Sequence, residues 1–117
     1  MTTSTTFGPL ATPGPSVTVE VPASGDVLIS VTAAMIGNAA STSCEMSFTV
    51  SGASTRPASD ATVVVLAAQT LQRASATSLL TGLTPGTTTF TAVYRAEGQG
   101  SLDCTFSDRT IVVLPLT

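Results

Sequence analysis

The chain has 117 residues, enough for one domain, with 9% charged residues, a net charge of −3 and a mean hydropathy of +0.44. Its only basic side chains are Arg56, Arg73, Arg95 and Arg109, and it has no histidine. That excludes a basic nucleic-acid-binding patch, a Ser-His-Asp or Cys-His centre and any histidine metal ligand.

In chain order, residues 1–16 read as an extended arm. Pro9, Pro13 and Pro15 forbid regular helix, and Phe7 and Leu10 are its only large apolar residues. Alone such an arm does not offset its ordering entropy. The expectation is therefore a mobile tail, or a clasp whose Phe7 and Leu10 dock on a neighbouring subunit or scaffold. Residues 17–117 read as the folded domain. Val17, Val19 and Val21 alternate with polar residues as a first strand, and Pro22 to Gly25 form a turn. Val27, Ile29, Val31 and Ala33 face one way in a second strand, with Leu28, Ser30 and Thr32 the other. Cys44, Met46, Phe48 and Val50 form the inward set of a third, with Glu45, Ser47, Thr49 and Ser51 outward. Thr62 to Ala68 is nearly all apolar, and periodicity leaves a buried strand and a short helix both open. Arg73 to Thr81 is a weaker strand.

The last third is the most regular. Pro85-Gly86 makes a turn. Phe90, Ala92, Tyr94 and Ala96 then alternate with Thr89, Thr91, Val93 and Arg95, and Gly98 to Gly100 closes a hairpin. Leu102, Cys104 and Phe106 begin a short strand, Ser107-Asp108 reads as a corner, and Arg109 to Leu114 is a final strand stopped by Pro115. The count is about eight short strands with almost no helix, which predicts an all-β, single antiparallel sandwich or barrel.

Charge at 9%, against about 25% in ordinary soluble domains, implies a surface of Ser, Thr and small residues. Much of that surface is expected to be covered by other chains. No apolar run approaches the roughly 20 residues of a spanning helix, so no membrane partner is expected. The N-terminus has neither a basic start nor an apolar core of a secretory signal. Synthesis in a cytoplasm follows as an expectation.

Cys44 and Cys104 both fall at the inward phase of their strands. They meet as a disulfide closing a long loop, or stay as two buried thiols; a cytosolic origin favours the thiols and a particle exposed to air favours the bond. The acidic residues are scattered and mostly near turns. Glu97 and Asp103 flank the glycine loop, where solvated carboxylates are a better account than Ca²⁺ binding. Asp108 and Arg109 alternate to opposite faces and do not read as a pair. No catalytic, cofactor or metal motif is present in the sequence, so a non-enzymatic role with no cofactor is the expectation.

The segment from Gly82 to Leu116 carries GLTPG, then TFTAVYR (Thr89 to Arg95), a glycine turn, TFSDR (Thr105 to Arg109) and VLPL. It resembles a C-terminal pattern of small virion proteins of actinobacterial tailed phages, whose domains are tumour-necrosis-factor-like jelly rolls. The resemblance implies a jelly-roll sandwich and a homotrimeric capsid decoration, or minor capsid, protein. Such a protein lies on the capsid surface, binds the major capsid protein across capsomers and stabilises the shell. The alternative it implies is a head-fibre or tail-tip domain that binds a host surface glycan or protein. The scarcity of aromatic residues, 4% and all within predicted strands or the arm, argues against that alternative.

Overall fold

A computed structural model describes residues 2–39, 42–67, 69–98 and 102–117. The strands are β1 (Ser16–Val21), β2 (Asp26–Gly37), β3 (Ser43–Gly52), β4 (Val64–Leu66), β5 (Gln72–Leu80), β6 (Gly86–Glu97) and β7 (Cys104–Leu116). All pairs are antiparallel. They form a four-stranded sheet in the order β1-β6-β3-β4 and a three-stranded sheet in the order β5-β2-β7. The single helical element among the described residues is a 3₁₀ turn, Asp60–Thr62.

The core lies between the sheets and is made by the alternations seen in the sequence. Ile29, Val31 and Met35 from β2 face Met46 and Phe48 from β3 and Phe90 and Tyr94 from β6, all buried. Aromatic rings meet in pairs. Tyr94 and Phe106 centroids are 4.8 Å apart and tilted by 53°, the inclined geometry that ring quadrupoles favour. The turn before β2 depends on Gly25, whose φ is +70°. A Cβ there would sit 2.5 Å from the Leu83 carbonyl oxygen, and the close approach lets Leu83 N–H donate to Gly25 C=O at 3.0 Å.

Seven strands replace the eight expected, and the difference lies at Asp108. Ser107-Asp108 is a β-bulge inside one long strand. Between Thr32 and Ala34 the β7 partner moves from Thr110 to Ser107, so β7 carries one residue more than β2. Asp108 takes that extra place with φ at 49°, a left-handed conformation that Asp tolerates better than most residues. The bulge shifts the side-chain phase, so Cys104 and Phe106 face inward before it and Arg109, Ile111 and Val113 after it. Pro115 does not end the strand. It pairs with Val27, and β7 is an edge strand, where a missing N–H need not break a ladder.

Two further expectations change. The apolar run after Thr62 is a three-residue edge strand with Val64 buried and Val65 exposed, and Ala68 lies outside the described residues. Glu45 and Ser47 do not face solvent. Both are buried, because the 3₁₀ turn folds over that end of β3 and Ser47 Oγ hydrogen-bonds to Thr62.

The arm is not a free extension. It continues the path of β1 along β6: Ala92 N–H donates to Pro15 C=O, Tyr94 exchanges both backbone bonds with Gly8, and Ala96 N–H donates to Ser4 C=O. Thr2 does the same with Cys104. Leu10 is buried in the chain's own core, where it contributes about 1.5–3 kcal/mol and offers no apolar surface to a neighbour. Contacts with β6 made one residue at a time supply what the arm's composition lacks.

Candidate interaction surface

The residues marked out by sequence lie in three places. Cys44 and Cys104 form a disulfide, with Cα atoms 5.6 Å apart, and it ties β3 of one sheet to β7 of the other. Leu10 is in the core. Phe7 lies half-buried on the outside of the four-stranded sheet, with the Arg95 guanidinium carbon 4.1 Å from its ring centroid.

Arg95 is the centre of that side. Its guanidinium binds Glu45 at 2.7 Å, also binds Asp60, and reaches Glu97 at 3.3 Å. Burial pushes the Glu45 carboxyl above its ordinary range, more than the pairing with Arg95 draws it down, while its carboxylates hold the Arg95 guanidinium protonated. Farther along the same face the sheet is hydroxyl-bearing. Ser16 donates to Thr91, Thr18 bonds Thr89 at 2.8 Å, and Thr87 donates to both Glu20 oxygens. A second polar group closes the β1–β7 flank, where Tyr94 O–H donates to Gly14 C=O at 2.7 Å and Arg109 donates to the same carbonyl and to the phenol oxygen. Desolvation raises the Tyr94 phenol above its usual range.

The outside of the β5-β2-β7 sheet is different. Register sets Leu79, Leu28 and Leu114 side by side in one row across all three strands. The next row is Thr77, Ser30 and Val112, and the third is Ser75, Thr32 and Thr110. Leu79, Val112 and Leu114 are 57%, 60% and 54% exposed, and no charged side chain stands in the three rows. The fourth row ends the face: Arg73 from β5 and Asp108 from the β7 bulge form an ion pair at 3.1 Å. Both flank Ala34 of β2, whose small side chain leaves room for them to meet. Alternation showed which residues of each strand point outward. It did not show that three separate strands would align their leucines, because that needs the register.

Among the described residues there is no pocket, and no group of three or more His, Cys, Asp or Glu side chains is placed to hold a metal ion. Asp103 lies next to a loop whose Gln99 and Gly100 are outside the described residues, so the Glu97–Asp103 loop is not described as a unit. Comparison with protein-family models, with curated proteins and with solved structures found no match. What this side of the molecule presents is a sheet face of three uncharged rows, one of them leucine, between Asp26 at one end and the Arg73–Asp108 pair at the other.

Proposed function

We propose that this protein is a non-enzymatic structural component of a tailed-phage virion, a capsid decoration protein that binds the major capsid protein across neighbouring capsomers on the shell surface. The observation that carries this reading is the bare β5-β2-β7 face on a chain with 9% charge, a combination suited to a subunit and poorly suited to a solitary soluble domain. The C-terminal pattern from Gly82 to Leu116 supplies the virion part of the reading. A jelly-roll type of sandwich is part of the proposal. Its support is the nesting of the first six strands, β1 with β6, β2 with β5 and β3 with β4, alternating between the two sheets. β7 is then an added edge beside β2.

The mechanism is mechanical. A decoration protein that buries surface on both sides of a capsomer seam raises the cost of opening that seam, and several modest contacts held on one body act together. Quantitative mass spectrometry of purified particles tests the reading. Copies in the hundreds per particle, together with lower heat resistance of particles that lack the protein, are expected. A handful of copies per particle places it at the tail instead, and absence from particles overturns the proposal.

A further inference from the structure

We infer that the β5-β2-β7 face is covered by the same face of a second copy, related by a two-fold axis running along β2. This deepens the assembly reading by naming what covers the face, and rests on that reading only for the premise that the face is covered. The first argument is charge. A rotation of 180° about β2 lays β5 of one copy over β7 of the other. Leu28 then meets its own equivalent and Leu79 meets Leu114, since all three stand in one row. Arg73 meets the other copy's Asp108, because these two stand on the outer strands of the same far row. Opposite charges therefore face each other at that end and the uncharged rows meet only each other, while at the other end Asp26, one row beyond Leu28 on β2, faces its own equivalent at the solvent rim. A two-fold axis across the strands would instead set the leucine row over the hydroxyl row and leave both ion pairs at opposite ends.

The second argument is shape and area. Two copies have the same sheet twist, which lets their faces stack at the usual inclination of about 30° and separation of about 10 Å. The three rows offer Leu79, Val112 and Leu114, each more than half exposed, as an apolar centre, and a standard stable interface extends to about 800 Å² per partner. The symmetry is self-complementary and closes at two copies, so it adds no open-ended growth. It differs from the threefold assembly implied by the resemblance, and the two are separable by mass.

The experiment uses the purified full-length protein at micromolar concentration. Light scattering after size exclusion should give a dimer, and Leu79→Asp and Leu114→Asp, both at exposed positions, should each give a monomer with an unchanged far-ultraviolet circular dichroism spectrum. Leu28→Cys adds one thiol at the axis, since the only two cysteines of the chain are joined to each other. Faces about 10 Å apart lie beyond the roughly 7 Å reach of a disulfide, so a short bis-maleimide is the probe. It should link Leu28→Cys to itself at least tenfold faster than Thr18→Cys on the opposite sheet. A monomeric wild type, a trimer, or a dimer that survives both aspartate substitutions overturns the inference. Capsid binding measured on the same samples keeps the two readings apart, because a monomer that still coats capsids ends the pairing and leaves the decoration role standing.

Discussion

On the outside of the four-stranded sheet, polar groups engage one another: Arg95 with three carboxylates and the Phe7 ring, the hydroxyls of β1 with those of β6, Ser47 with the 3₁₀ turn. On the outside of the three-stranded sheet one ion pair closes one end, Ser30 bonds Thr77, and the leucines stand in water. The outward residues differ, hydroxyls, Arg95 and Glu45 on the first face and three leucines with Val112 on the second. What the chain itself lays on each face differs too. The arm and the Asp60–Thr62 turn cover one end of the first face, and among the described residues Leu79, Val112 and Leu114 of the second stay more than half exposed. Polar networks on the first face therefore belong to monomer stability, whereas the second face contributes little until something docks on it.

The most severe way to break this comparison is to cut the one covalent tie between the sheets. Replacing Cys44 and Cys104 together by alanine should lower unfolding free energy by about 2–4 kcal/mol, since the bond closes a loop with a sequence separation of 60. Urea unfolding of the variant beside wild type measures it, and reduced wild type should follow the variant. Next, Arg95→Ala removes the hub of the covered face and leaves Glu45 buried without its partner. A loss of about 3 kcal/mol is expected. If the loss is below about 0.5 kcal/mol, the first face is no better tied than the second and the contrast fails.

Tyr94 sharpens the comparison at the flank between the faces. Tyr94→Phe should cost about 1 kcal/mol, because Gly14 C=O loses one of its two donors and Arg109 loses the phenol oxygen. The same residue sets a pH dependence. Its phenol is raised in the folded chain, so above a pH of about 10 the unfolded chain releases a proton that the folded chain still holds. Stability is thus full below that pH and declines as pH rises further, and Tyr94→Phe should lack this part of the decline. It is the only tyrosine in the chain, so ultraviolet absorbance follows its ionisation directly. The smallest effect is on the bare face. Leu79→Ser should change monomer stability by no more than about 0.5 kcal/mol, read by denaturation at a concentration low enough to hold the protein monomeric.

Much of the architecture was legible before any coordinates. Period-two alternation located β1, β2, β3 and β6 and separated the two faces of each, because successive side chains of a strand point to opposite sides. The same rule put Cys44 and Cys104 inside. It left their bond open, since pairing depends on where two strands from different sheets come to lie. The rule also failed wherever the chain covered its own outward face, as at Glu45 and Ser47. It read Asp108 as a corner because a bulge and a corner break the phase alike.

By itself, then, the order of residues determined an all-β domain, the two faces of its long strands, its charge-poor composition and the absence of histidine chemistry. Tertiary structure alone decided that seven strands divide four and three, that the arm lies along β6 with Leu10 in the core, and that Leu28, Leu79 and Leu114 share a row. The reason is physical. Alternation is a local property of a strand, whereas register and coverage are relations between segments fifty or more residues apart, and only packing energy selects among them.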